Sequence, residues 1–223
     1  AALFDPTLDS AFLETAIGNF QTRHLSKSAL ARVSIIRAGA AAGGTAGLLV
    51  TLPNGETRKL APGPSSVITK AVVEIFAPRF LETPAVLWLS ESGNKVVTRD
   101  DRIASSIGLR IEPDKNLPDL ILADLGPTEP LIVFVEVVAT DGAITDQRQR
   151  AMYAISGATG FKRSQIAFLT AYQDRESAGF RKTVAGLAWN SFAWFASEPD
   201  KIAMFRSGAE TRLRLSELLG SPL

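Results

Sequence analysis

The sequence predicts an α/β fold, a mixed β-sheet flanked by helices, and three observations carry that expectation. The run LIVFVEVV at 131–138 is apolar but for one glutamate and rich in β-branched residues, the pattern of a strand buried on both faces. A second apolar run, PDLILADL at 118–125, precedes it across the turn GPTEP, which makes the two an antiparallel pair. Around them the order helix, strand, strand, strand, helix, strand gives a central sheet of antiparallel and parallel pairs with helices to cover it.

From the start of the chain, residues 7–38 read as two helices, the first capped by Thr7 or Asp9 and the second by Ser26 or Ser28. GAAAGGTAG at 39–47 partly echoes a phosphate-binding loop. No lysine precedes Thr45, and an apolar strand follows where a helix should begin, so it reads as a flexible connector. GLLVTLPNGETRKL is a hairpin signal, two short β-type runs around Pro53-Asn54-Gly55. A helix follows from Pro64, with Ser65 or Ser66 at its start and Pro78 bounding its end. Val67, Ile68, Ala71, Val72, Ile75 and Phe76 share one face of it; Glu74 lies at the rim, one turn after Lys70, an ordinary surface ion pair by position. AVLWLS (85–90) is a strand, and residues 91–116 are polar with one short helix in DDRIASSIGL. Beyond the central pair come a helix at 145–157 capped by Thr145, a buried strand in SQIAFLTAY and a helix around 176–187. The strand-like SFAWFA and KIAMF complete the compact part, and the amphipathic tail ETRLRLSELLGSPL reads as a final helix.

Composition narrows the chemistry. With 46% hydrophobic and 21% charged residues in 223, the chain is an ordinary globular protein of one large domain, or one domain plus an appendage. A net charge of +1 supplies no polyanion surface unless the basic residues cluster. Absence of cysteine removes disulfides, thiolate metal sites and thiol nucleophiles, and a single histidine, His24, excludes any two-imidazole site. Carboxylate chemistry is what remains. No apolar run approaches the ~18 residues of a membrane span, and the first residues do not have the pattern of a signal peptide. The expected location is therefore cytoplasmic. The chain begins at Ala1 and not at Met, which favours a fragment of a longer protein.

Glu136 is the carboxylate inside the apolar run, and burial there costs several kcal/mol unless a positive charge sits beside it. Asp119 opens the preceding strand, 17 positions earlier, and a turn at 126–130 brings the two to the same end of the sheet. Two carboxylates so placed repel, and a divalent cation relieves both costs; a hard oxygen site completed by waters suits Mg²⁺. The plainer readings are a strand-start cap for Asp119 and a buried pair with an arginine for Glu136.

The segment LPDLILADLGPTEPLIVFVEVVATDG resembles the active-site segment of the PD-(D/E)XK nuclease superfamily, and specifically that of BsuBI/PstI-type type II restriction endonucleases. LAPGPSSVITKAVVEIFAPRFLETPAVLWLSESGNKVV and SQIAFLTAYQDRESAGFRKTVAGLAWNSFAWFASEPDKIAMF resemble the same family in the same order, so that roughly residues 48–206 are covered. The resemblance implies a restriction-endonuclease-like core and Mg²⁺-dependent hydrolysis of double-stranded DNA within a restriction system. It also implies a homodimer, because cutting both strands calls for two active sites. Pro118-Asp119 match the family's Pro-Asp, Glu136 its strand glutamate, and the Val137 carbonyl would complete the metal site. Glu74 falls where many superfamily members place a helix carboxylate, and Arg148 where the family has a basic residue. Residues 48–223 would form the catalytic domain, and residues 1–47 a helical segment, the remnant of a recognition domain or a different element.

The pattern departs from the superfamily in places. Val138 stands where the superfamily has its lysine, so the charge must come from elsewhere or be dispensable; Arg148, Lys70 and Lys95 are candidates. Asp141-Gly142-Ala143 stand where the family tends to have His-Gly-Pro, with Asp141 either a further ligand or, better, the start of a turn. Basic pairs that would hold DNA occur at Arg58-Lys59, Arg148 with Arg150, Lys162-Arg163 and Arg181-Lys182, scattered so that the fold alone can gather them. Two alternatives stay open: a catalytically degenerate DNA-binding module, and another metal-dependent nuclease on the same core, acting on RNA or branched DNA.

Overall fold

The computed structural model describes Thr15, Asn19 and residues 47–91, 95–112, 117–157 and 159–208. Thr15 and Asn19 are helical; the rest of the two helices expected over 7–38, the glycine-rich connector before Gly47 and the tail from residue 209 lie outside the described residues.

Strands β1 (Leu48–Thr51) and β2 (Thr57–Leu60) form an antiparallel hairpin in which Leu48 faces Leu60 and Thr51 faces Thr57. Gly55, at φ 85°, turns the chain as Pro53-Asn54-Gly55 predicts. The principal sheet has seven strands in the order β4-β3-β5-β6-β7-β8-β9. They are β3 (Pro84–Glu91), β4 (Lys95–Arg99), β5 (Leu120–Asp124), β6 (Leu131–Val138), β7 (Ile166–Tyr172), β8 (Ser191–Phe195) and β9 (Ile202–Phe205). β5 and β6 pair antiparallel, whereas β6-β7 and β7-β8 pair parallel, the mixed sheet the sequence predicts.

Helices cover both faces: α1 (Pro64–Ala71), α2 (Ala77–Phe80), α3 (Asp101–Ser106), α4 (Asp146–Gly157) and α5 (Ala178–Thr183). Because successive strand residues alternate in direction, β6 divides its side chains between two cores. Val133, Val135 and Val137 pack with Val67 and Ile68 of α1 and with Val72 just after it. Ile132 and Phe134 pack on the other side with Ile144 and Met152, at and beyond the start of α4. Glu136 shares the parity of Phe134 and therefore belongs to the α4 side. Phe134 is fully buried, and truncating such a residue to alanine costs roughly 3–5 kcal/mol.

Two elements differ from the expectation. Pro78 does not end its helix, which runs on to Phe80. Between α1 and α2, Val72–Phe76 forms a π-helical turn, with the Ala77 amide donating to the Val72 carbonyl five residues back. The wider turn shifts the hydrogen-bond register just where proline has no N–H to give, so Pro78 enters as an early residue of the following α-turn. The polar stretch after β3 also holds a strand, β4, whose short KVVTR run was too brief to register against its surroundings. Among the described residues no helix is long and apolar enough to cross a membrane.

Candidate active site

The segment entering β5 is held before any side-chain chemistry begins. Three consecutive carbonyls are pinned from three directions. Leu117 O accepts from Arg148 Nη2 at 2.7 Å, Pro118 O from the Trp88 indole at 3.1 Å, and Asp119 O from the Ser90 amide at 2.9 Å. Trp88 faces Ile121 and Leu89 faces Leu120 across β3 and β5, so the next step of that register sets the Ser90 amide against Asp119. Asp119 then directs its carboxylate across the hairpin end, where Oδ2 accepts from the Val137 amide at 2.9 Å.

Register supplies the second carboxylate. Leu120 faces Val135, so the residues one step further out, Asp119 and Glu136, meet at the end of the pair. Glu136 is buried, 4% exposed, and receives Arg148 Nε on Oε1 at 2.6 Å. Arg148 reaches it from the first turn of α4, a helix started by Thr145, whose Oγ1 accepts from the Arg148 amide at 3.3 Å. Burial is the largest influence on Glu136, and repulsion from Asp119 adds to it. Together they outweigh the Arg148 guanidinium and push the carboxyl up to about 8. Asp119 is also raised, chiefly by desolvation, against the Val137 amide, a hydrogen bond with Glu136 and the Arg148 charge. Both shifts run the same way, so each carboxyl of the pair gives up its proton less readily than a free carboxyl does. The arginine partner considered for Glu136 from sequence is present, and it does not satisfy the pair.

The remaining candidates are placed as follows. Glu74 Oε1 accepts from the Thr51 amide at 2.8 Å and from Lys70 Nζ at 2.6 Å, which ties the π-turn to β1. Lys70 also donates to the Leu49 carbonyl at 2.6 Å. Val138 is buried with Tyr172 and Phe195. Asp141 pairs with Lys182 at 2.6 Å, both side chains mostly exposed, and is followed by Gly142 at φ 101°, the turn the sequence favours. The Lys95 side chain lies outside the described part. Of the basic pairs, Arg58 is bonded to Glu56, Lys162 to Glu129, and Arg163 lies over the Tyr153 ring at 4.9 Å.

Sequence reasoning missed Asp124, a buried carboxylate at the opposite end of β5. Its oxygens accept from the amides of Glu82 (2.9 Å), Thr83 (2.8 Å) and Gly126 (3.1 Å). Burial alone would raise it, and the three amides reverse that and hold it below the usual range. Two of the donors lie about forty residues away, beyond the reach of any local pattern.

Among the described residues no group of three or more His, Cys, Asp or Glu could hold a metal ion. The donor set here is two carboxylates with a backbone carbonyl nearby. That is what a cation keeping several waters takes from a protein, so the residues present fit Mg²⁺.

Comparison with known proteins bears on this arrangement. A family model described as the BsuBI/PstI restriction endonuclease domain matches residues 48–208. The chain is 22% identical over 157 residues to the type II restriction enzyme BsuBI of Bacillus subtilis, covering 70% of this chain and 47% of that protein. Its structure is similar to that of SdaI restriction endonuclease, with a TM-score of 0.64 and 26% identity over 91% of this chain and 58% of the other. The chain therefore spans about half the length of the relatives it matches.

Proposed function

Because this chain belongs to the BsuBI/PstI restriction endonuclease family, we propose that it hydrolyses phosphodiester bonds of double-stranded DNA with Mg²⁺, held by Asp119, Glu136 and the Val137 carbonyl. The observation that carries this reading is the under-compensated carboxylate pair at the end of the β5–β6 hairpin. Among the described residues, four carboxyl oxygens receive one amide and one guanidinium, and burial leaves both groups raised above the ordinary carboxylate range. Asp119, Glu136 and the Val137 carbonyl would hold a divalent cation, whose charge would offset the repulsion between the two carboxylates. Such a cation would supply charge to neutralise the phosphoryl oxygens and to make a water more acidic.

The chain's own residues do the rest. Asp119 and Glu136 are fixed relative to each other by the β5–β6 register, with the Val137 amide setting the Asp119 rotamer. Arg148 orients Glu136 and brings positive charge to the site, the role open because Val138 is apolar and buried. Its second bond, to Leu117 O, fixes the guanidinium to the strand that carries Asp119. Glu74, on the helix beyond, is an outer acidic residue of this proposal. Cleavage of both strands calls for two such sites, hence a homodimer acting in the cytoplasm as part of a restriction system.

Calorimetric titration of the native chain and Glu136→Ala with Mg²⁺ or Mn²⁺, followed by plasmid cleavage with the same samples, tests it. Binding and cleavage are both expected in the native chain and absent from the variant. Apolar Val138 at the lysine position favours one other reading, a DNA-binding module that does not cut. Metal-independent DNA binding without cleavage by the native chain would select it.

A further inference from the structure

We infer that the cavity at the N-terminus of α1 binds a backbone phosphate of the nucleic acid beside the one being cut. This rests on the nuclease reading for the identity of the polymer, and on separate observations for the site. The cavity is about 270 Å³, far more than the ~30 Å³ share of a single water, and it adjoins the carboxylate pair because Asp119 and Val137 form one wall. Its other wall is the first turn and a half of α1, with Ser65, Ser66 and Thr69, and Ser90 closes the side.

Three features of that wall suit an oxyanion. First, α1 begins with Gly63 as its cap, and no side chain bonds its leading amides. Pro64 has no N–H and the Val67 amide is engaged by Gly63 O, so the Ser65 and Ser66 amides are the donors that helix geometry leaves over. Second, Ser66 and Thr69 are buried, 9% and 6% exposed, and their hydroxyls have no hydrogen-bond partner among the described residues. No buried side-chain nitrogen or oxygen of the described residues is sealed off without a partner. These hydroxyls therefore meet solvent, and the cavity they line is where they meet it. Third, the Asp119 carboxylate in the same lining already accepts the Val137 amide at 2.9 Å, so one of its oxygens is committed within the protein. Hydroxyls and amides without a lysine or arginine suit the singly charged oxygens of a diester. The helix also puts that diester next to the cation site rather than on it.

Amide ¹⁵N shifts of Ser65 and Ser66 in the full 223-residue chain read the site directly. The probes are the dinucleotide dTpdT and inorganic phosphate, each against chloride at matched ionic strength. Saturable shifts at both amides are expected with dTpdT, weakened roughly fivefold or more in Ser66→Ala/Thr69→Val and retained in Thr69→Ser. Thermal unfolding within about 3 °C of the native chain shows that the double variant is folded. No shift at these amides, or a shift the double variant leaves undiminished, overturns the proposal. So does inorganic phosphate binding about tenfold or more tightly than dTpdT, since that marks a free-phosphate site. The two readings fail separately. If plasmid is cut while these amides ignore dTpdT, the phosphate site falls and the nuclease stands. If dTpdT binds as expected and no DNA or RNA is cut, the nuclease reading falls and the site remains one for a nucleic-acid phosphate.

Discussion

Asp124 closes one end of the β5–β6 hairpin, and Asp119 with Glu136 closes the other. Asp124 and Glu136 are almost equally buried, at 5% and 4% exposed, so burial does not distinguish them. Donors do. Three backbone amides converge on Asp124 and hold it low, whereas among the described residues one amide and one guanidinium serve the Asp119–Glu136 pair, whose carboxyls burial holds high. The first end is a carboxylate built to be charged for the sake of the fold. The second is short of positive charge by design of its surroundings, and that deficit is what a cation would fill.

Exchanging function for stability at the two ends is the strongest way to break this comparison. Replacing an outer-shell partner of a metal ligand costs ~10–100-fold, so on the proposed reading Glu136→Ala, which would remove a ligand itself, should lower plasmid cleavage by more than the upper figure. Its urea midpoint should stay at or above that of the native chain at pH 8, because a poorly compensated buried group is gone. Asp124→Ala should do the reverse. It strands three amides and should lower unfolding free energy by roughly 3 kcal/mol or more, while cleavage by the folded fraction persists. Similar losses of stability at both ends would erase the distinction.

Acid and alkali should sharpen it. Without divalent cation, Glu136 is raised from 4.5 to about 8, so the folded state holds its proton more tightly than the unfolded chain does. Its contribution is complete below about 4.5 and is lost as pH rises toward 8, by a few kcal/mol at most, with Asp119 acting in the same sense. Asp124, held low, contributes above the ordinary carboxylate range and loses that contribution as pH falls through its folded value. Urea midpoints from pH 4 to 9 should therefore fall on the alkaline side in the native chain. Glu136→Gln should flatten that side, and Mg²⁺ should oppose the fall by favouring the ionised pair. An alkaline slope unchanged in Glu136→Gln would assign it to another group.

What could be read beforehand follows the range of the interactions. Glu136 stood out because a single charge interrupts an apolar strand, and Asp119 because strand register carries it to the same end. Arg148 was placed by family resemblance, since its bond to Glu136 spans a turn and the start of a helix whose packing no local pattern gives. Asp124 gave no signal, because its partners are backbone amides and any residue supplies those. Pro78 misled, because proline marks a helix end in most registers and the π-turn creates one in which it does not. Ser66 reads as part of a helix start, Thr69 carries no signal of its own, and only the cavity turns them into candidate ligands.

Glu74 gives the smallest expected effect and the finest test of where the site ends. By resemblance it falls where many superfamily members place a helix carboxylate; in the fold it already accepts two bonds, from Thr51 N and Lys70 Nζ. Glu74→Gln keeps an acceptor for the Thr51 amide and loses the charge that pairs with Lys70, a partly exposed pair worth ~1 kcal/mol or less. Thermal unfolding should fall by a few degrees, and cleavage at saturating Mg²⁺ by less than about tenfold. Mg²⁺ affinity separates an outer carboxylate from a ligand. A long-range charge weakens it slightly and more so at low salt, whereas a ligand weakens it at every ionic strength. Loss comparable to that of Glu136→Ala would draw Glu74 into the cation site and extend the deficit of the hairpin end across to the helix.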